Sequence, residues 1–383
     1  MADRTGAGAR LEIGRLRLDD VPECIDIASH SFDQFAGDVD AVRSWFDARI
    51  AHNPWQGVLD GIGVGVRVDG KLIAFRAMFA QPWWIEGRPT VIAFAAHTSI
   101  EPAYRGLGLG SQLIAESREF AIFSGSTSAG DITQKVYGKQ GFVAIGGKGN
   151  DFCRFRVSYV GSMQSRFGTV LGRAMGHALN AMSGHSWKGC ASTSTFRLES
   201  VAYCTDEFDD LWVRAREGYP SCLERSSRYL NWRLFDFPTH PLTLLALRDE
   251  RNRLRGYGVW HKQEYSKDVS CAVLRDLFVA SDDDEALRAF MVHVIQHWGR
   301  SGITWASLEV ACPRLTKLFE SLGYERIPSR GNRYYIYSRS GLRTQTAAGW
   351  FRSGLDGDYF DTRPPPPYSR IHPKITAEEI GGR

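Results

Sequence analysis

The sequence of 383 residues has no apolar run near the roughly 18 residues that a membrane-spanning helix requires. Its longest apolar patches, such as Val91–Ala96, are the length of a strand. The stretch Met1–Arg10 lacks the apolar core of a secretory signal. Cysteine is sparse: seven residues, Cys24, Cys153, Cys190, Cys204, Cys222, Cys271 and Cys312, lie far apart with no C-x-x-C pair. That pattern argues against a disulfide framework or a zinc site, so no metal and a reducing cytoplasm are expected. An excess of one charge is lacking as well. Lys and Arg total 47 against 43 Asp and Glu, a net charge of +4, and basic and acidic residues alternate along the chain. Nothing there points to nucleic acid.

What is present is the mix of a globular protein, 43% apolar and 23% charged. The length suits two domains. Leu11–Arg17 alternates as a strand does, and Asp19-Asp20-Val21-Pro22 opens a first helix; a second covers about Ala41–Ala51. Strands are expected over Ile62–Val68, Leu72–Phe79 and Val91–Ile100, with turns at Asp69-Gly70 and Glu86-Gly87. Leu113–Phe120 and Ile132–Lys139 read as helices on either side of a short strand near Ala121–Ser124, and further strands follow Gly141. Between 161 and 194 lies a linker. Its apolar residues Met163, Phe167, Val170, Leu171, Met175, Leu179 and Met182 recur at helical spacing among Arg166, Arg173 and His177, and a loop follows over Gly184–Ser194. Such a helix can lie on a membrane or bind a partner, but the low cationic count favours one packed across two domains.

The second half repeats the first in weakened form. Ser44–Arg49 with Asn53-Pro54 is echoed by Leu230–Arg233 with Phe237-Pro238, Val66–Phe75 by Leu244–Tyr257, and Val91–Ile100 by Cys271–Val279. Leu113–Phe120 is echoed by Leu287–His297, and Tyr137–Phe142 by Phe319–Tyr324. The expected division is 1–160, a linker over 161–194, a second unit over 195–342, and a polar tail over 343–383 that carries the polyproline stretch Pro364–Pro367.

The segment that carries chemistry is Ala93–Leu113. A strand runs into Arg105-Gly106-Leu107-Gly108-Leu109-Gly110-Ser111, and a helix begins at once. Glycines let a phosphate approach the backbone, the helix start supplies unpaired N–H groups, and Arg105 adds a charge-assisted contact. The run lacks the Gly-Lys-Ser/Thr ending of a P-loop. It also lies too deep in the chain, after antiparallel-looking strands, for a dinucleotide fingerprint.

In these residues the sequence resembles the GNAT superfamily of acyl-CoA-dependent N-acyltransferases. The signature Arg/Gln-x-x-Gly-x-Gly/Ala after the fourth strand is matched by Arg105, Gly108 and Gly110. A tyrosine followed by Gly-Phe is matched by Tyr137, Gly141 and Phe142. The order of elements from Leu11 to about Tyr159 agrees. The resemblance implies an α/β fold with a mixed, mostly antiparallel sheet flanked by helices, present twice and degenerate in the second copy. It implies acetyl-CoA or another acyl-CoA as co-substrate, with the pyrophosphate on Arg105–Ser111 and the pantetheine along Ser99, Ile100 and Glu101. Family position makes Tyr137 the acid for the departing thiolate; the alternative is a tyrosine packed in the core.

The base is open. Some members carry a glutamate in the fourth strand, where Val91–Ala96 is apolar here, so His97 and Glu101 are the candidates. The asparagine that many members carry ahead of the tyrosine is absent, with Asp131 and Thr133 nearby instead.

In the second copy the glycine loop is replaced by Val279-Ala280-Ser281-Asp282-Asp283-Asp284-Glu285. These acids would repel a pyrophosphate and suit a helix start. The two-domain layout, with Trp232, Arg233 and Pro238, resembles bacterial GNAT proteins found with polysaccharide genes, which points to an amino sugar as the amine acceptor; resemblance to another two-domain GNAT type keeps a small aminated thiol precursor as the alternative. Trp83 and Trp84 would then line a cleft with the His52–Trp55 loop and stack on the sugar, or else pack against the other domain. The alternatives are a non-catalytic acyl-CoA sensor or scaffold, and aminoacyl transfer from tRNA, which the intact glycine loop disfavours.

Overall fold

Alternating and continuous apolar runs make the strands of this protein, and glycine-containing turns fold them into sheets. The computed structural model describes residues 10–31, 38–127, 129–145, 151–183, 195–239, 241–310, 313–322, 325–328, 334–341 and 350–356. In the first half, Leu11–Leu16 (β1) leads to helices Val21–Ser31 (α1) and Val39–Phe46 (α2), the latter continued by a π-helical turn over Asp47–Ala51. Gly63–Val68 (β2), Lys71–Ile85 (β3) and Arg88–Ile100 (β4) form an antiparallel meander. Leu109–Ser117 (α3), Phe123–Ser126 (β5), Asp131–Lys139 (α4), Val143–Ile145 (β6) and Asp151–Arg156 (β7) follow.

The linker forms two helices, Val160–Phe167 (α5) and Thr169–Met182 (α6), rather than one. Val170 and Met182 are exposed on α6. The expected loop over 184–194 and the stretch Pro364–Pro367 lie outside the described residues.

The second half runs Arg197–Val201 (β8), Asp206–Ala215 (α7), Ser221–Leu223 (β9) and Ser227–Asn231 (α8), which continues as a π-helical turn over Trp232–Asp236. Thr243–Arg248 (β10), Leu254–Glu264 (β11), Ser270–Val279 (β12), Asp284–Arg300 (α9) and Trp305–Leu308 (β13) come next. Pro313–Ser321 (α10), Glu325–Pro328 (β14) and Tyr334–Ser338 (β15) complete it.

Two mostly antiparallel sheets result. Their strand orders correspond position by position: β1-β2-β3-β4-β5-β15-β6 and β8-β10-β11-β12-β13-β7-β14, with β9 added beside the end of β3. Each sheet has one parallel pair, β4 with β5 and β12 with β13. The expected division at residue 160 cuts across this arrangement. β7 pairs with β13 and β14 in the second sheet, and β15 returns from the far end of the chain to lie between β5 and β6 in the first. Each sheet therefore borrows an interior strand from the other half. A strand was expected after Gly141, whereas that at Tyr334–Ser338 was not read from the sequence, and periodicity carries no information on which partner a strand takes.

The two helix-plus-π-turn segments meet between the halves. The Trp232 indole N–H donates to the Ala48 carbonyl at 3.1 Å, and His52 stacks on Phe237 at 4.2 Å. Among the described residues, no helix is long and apolar enough to cross a membrane.

Candidate active site

β4 and β5 part company partway along their length. They are paired at Ile92–Phe123, Ala93–Ser124 and Phe94–Gly125. Beyond Phe94, β4 continues to Ile100 bonded to β3 alone, so one edge of residues 95–100 has no strand partner among the described residues. A bulge falls at the opening: His97 and Thr98 together face Arg76 of β3, between the pairs Ala77–Ala96 and Phe75–Ser99. His97 holds a left-handed backbone, φ 47°, which costs a non-glycine residue about 1–3 kcal/mol and is kept where the surroundings enforce it.

At the end of β4 the chain makes a tight turn and enters the glycine loop. Gly106 and Gly108 have φ of 84° and 81°, and Gly108 is the residue that caps α3, with no side chain on its amides. No atom lies within 4 Å of a Cβ built on either glycine, so the space above the loop is open. The amides from Gly106 to Gly110 find no backbone acceptor among the described residues. α3 is pinned beneath by buried Leu109, Leu113 and Ile114. Arg105 ties the loop to the strand through its Nε–H, which donates to the Ile100 carbonyl at 3.1 Å. Ser111 is fixed by Gln140, whose amide donates to its carbonyl at 2.8 Å and its hydroxyl at 3.1 Å. Leu107 is exposed at the tip. The arrangement is a row of outward N–H groups at the positive end of a helix, beside an unsatisfied strand edge, and it suits a phosphate-bearing ligand with amides of its own.

No protein-family model matches the chain, and no curated protein is significantly similar to it in sequence. Solved structures are similar in fold. One is a conserved protein of unknown function from Enterococcus faecalis, described as a probable N-acyltransferase. It is 10% identical, with 88% of this chain and 74% of that chain covered at a TM-score of 0.58. A GCN5-related N-acetyltransferase from Anabaena variabilis is 17% identical, with coverages of 85% and 72% and a TM-score of 0.57. Another from Kribbella flavida is 16% identical over 86% and 71%, with a TM-score of 0.53.

The chain has the GNAT fold.

Within this GNAT fold, Tyr137 is the one buried residue of α4. Its ring packs on Phe142 at 4.6 Å and on Tyr335 of the returning strand β15 at 5.1 Å. Its hydroxyl accepts an N–H from Arg76 at 2.6 Å. Arg76, itself buried, also donates to Thr98 at 2.7 Å and Ser117 at 3.2 Å.

His97 turns the other way, toward α2, with its ring 4.2 Å from that of Trp45. Glu101, at the end of β4, is 3.4 Å from the Lys71 ammonium. The three candidates for proton transfer thus sit in separate surroundings. Ser99 is buried, and its hydroxyl lies 3.4 Å from the His97 carbonyl.

Sequence reasoning passed over Arg76, Thr98 and Ser117; the available signal was a lone arginine inside the apolar run of β3. Trp83 and Trp84 are buried, 1% and 6% exposed, not displayed on a hairpin. Trp83 packs on Trp350 at 4.9 Å and the Arg216 guanidinium covers Trp84 at 4.4 Å, because β9 pairs with this end of β3.

The second parallel pair opens in the same way after Leu274–Leu308, but its opening is filled by the chain itself. The Gly354 N–H donates to the Arg275 carbonyl at 2.7 Å, so part of the expected tail, Trp350–Asp356, is largely buried core. Arg225 grips Asp276 through two bonds of 3.0 Å and lies 3.8 Å from Asp356, and Arg275 is paired with Glu309. Burial raises the Asp356 carboxyl to about 7. The acids expected at a helix start are there: the Asp283 carboxylate accepts the Ala286 N–H at 3.0 Å and pairs with Arg255 at 2.6 Å.

Proposed function

We propose that the chain is an acyl-CoA-dependent N-acyltransferase. It moves an acetyl or other acyl group to the primary amine of a small molecule in the cytoplasm, and it uses the first cleft. The observation that carries this reading is the open row of amides from Gly106 to Gly110 beside the free edge of β4. These N–H groups would hold the pyrophosphate, with Arg105 and Ser111 flanking it, and the strand edge around Ser99–Glu101 would bond the pantetheine amides.

The amine attacks only as the neutral base. We assign the accepting role to His97 ahead of Glu101, whose carboxylate is engaged by Lys71. Tyr137 serves as the acid: its oxygen accepts from Arg76, which leaves the O–H proton for the departing sulfur. Buried Trp83 and Trp84 offer no stacking face, so an amino sugar is one amine among others to be screened.

The test is calorimetric titration of acetyl-CoA and longer acyl-CoAs into the wild type and Gly108→Trp, followed by an amine screen that reads thiol release. Binding that Gly108→Trp abolishes, with thiol released, supports the reading; no binding by the wild type overturns it. Tyr137→Phe should lower kcat by about 10²–10⁴. The full burial of Tyr137 favours a second reading, an acyl-CoA sensor or scaffold. Binding without thiol release from any amine would select it.

A further inference from the structure

Arg76 is 2% exposed, yet its guanidinium donates only to neutral oxygens, Tyr137 at 2.6 Å, Thr98 at 2.7 Å and Ser117 at 3.2 Å, and lies 5.5 Å from the centroid of the Tyr137 ring. No carboxylate pairs with it among the described residues. Arg225 and Arg275, equally deep in the second half, each hold a buried acid. A cation taken out of water without a counter-charge is costly.

Arg76 lies opposite the bulge at which β4 leaves β5, and its side chain spans from β3 to α3 and to the phenol of α4. Its guanidinium therefore lies against Thr98, just past the point where β4 leaves β5, on the strand that runs on into the glycine loop. The three hydroxyls engage only part of its N–H donors.

We propose that Arg76 is a catalytic residue that receives the leaving thiolate of CoA, an assignment that rests on the acyltransferase reading above. The amine nitrogen forms the new C–N bond, the C–S bond breaks, and its electron pair goes to sulfur. The surplus amine proton passes to the base. The sulfur's negative charge is held against the Arg76 guanidinium until the Tyr137 O–H proton neutralises it, and the phenol regains a proton from water. The sum is acyl-CoA plus amine giving amide plus CoA.

A nearby cation favours the charged form of an acid, so bound CoA should ionise below the ordinary thiol value of about 8.5. The probes are CoA and desulfo-CoA, titrated calorimetrically below and above that pH, with thiolate absorbance read on the complex. In the wild type, CoA should bind about tenfold tighter as thiolate than as thiol, equivalent to lowering the thiol pKa by one. Desulfo-CoA should show no such change. Arg76→Met should abolish the tenfold response while still binding desulfo-CoA, and Arg76→Lys should restore part of it. The wild-type comparison stands alone if Arg76→Met fails to fold. CoA that binds with no pH response relative to desulfo-CoA overturns the assignment and leaves the acyltransferase reading intact. Failure of both nucleotides to bind overturns the two together. A selective gain for succinyl-CoA over acetyl-CoA that Arg76→Met removes, with the thiol unshifted, would give the charge to an acyl carboxylate and also overturn it.

Discussion

Two helix starts, at equivalent places in the two sheets, solve the same problem in opposite ways. Each helix follows the strand that opens away from its parallel neighbour, and each begins with N–H groups that its own turns cannot bond. At α3 the capping residue is Gly108, and the amides stay open. At α9 it is Asp283, whose carboxylate accepts from Ala286 and leaves a negative charge where an anion would have to sit. The clefts beneath differ in the same sense. The first contains a guanidinium with neutral partners and an unpaired strand edge. The second holds Arg225 and Arg275 with buried acids, and the Gly354 N–H bonds its strand edge. One cleft is left open; the other is filled by its own chain.

The strongest way to break this contrast is to remove the arginines. Arg225→Met strands Asp276 and Asp356 without a cation and should cost about 3–5 kcal/mol in urea unfolding. Arg76→Met strands only hydroxyls and should cost about 1–2 kcal/mol. Equal losses would show that the two sites are not different in kind.

Next in size, Gly108→Asp copies the second helix start into the first. Acetyl-CoA affinity should fall about 100-fold, roughly 2.7 kcal/mol, in calorimetry, while the circular dichroism spectrum is kept. Undiminished binding would place the pyrophosphate elsewhere.

The Asp356 carboxyl, raised to about 7 by burial, keeps its proton in the folded chain at pH values where the unfolded chain has lost it. Stability therefore falls as pH rises from about 4 to about 7, by about 1.3 kcal/mol per pH unit at the steepest. Asp356→Asn should flatten that slope in unfolding curves taken across the range.

A glycine comparison tests the same contrast with a single methyl group. A Cβ on Gly354 would lie 2.7 Å from the Glu309 carboxylate and 2.9 Å from the Arg275 side chain, so Gly354→Ala should destabilise by about 1–3 kcal/mol. Gly108→Ala meets no atom, and only its φ of 81° carries a cost, about 1 kcal/mol. Thermal unfolding of the two variants ranks them.

The first cleft was legible in the sequence because its signals are local. Alternation marks strands, Gly106 and Gly108 mark the loop, and Tyr137 with Gly141 and Phe142 marks α4. The echo of Ser44–Arg49 in Leu230–Arg233 was legible too, since both become a helix ending in a π turn. What escaped is what depends on partners distant in the chain. Nothing local distinguishes β7 and β15 from strands that stay in their own half. The pair Trp350-Phe351 was the sign that the supposed tail is core: two large aromatics in a polar setting, both almost wholly buried. Arg76 escaped because a charged residue in an apolar strand ordinarily marks an exposed face, whereas this one is covered by α3 and α4.

The exchanged strands also set the order in which the protein can be finished during its synthesis. The first sheet has its β4–β5 pair once residue 126 has left the ribosome, but β5 gains its other neighbour only when residues 334–338 arrive. That is about two hundred residues later, or roughly 10–40 s at 5–20 residues per second. Through that interval β5 presents a bare edge, and Tyr137 lacks the Tyr335 ring that covers it. The glycine loop is made early, but the strand that covers β5 and Tyr137 emerges only some two hundred residues later.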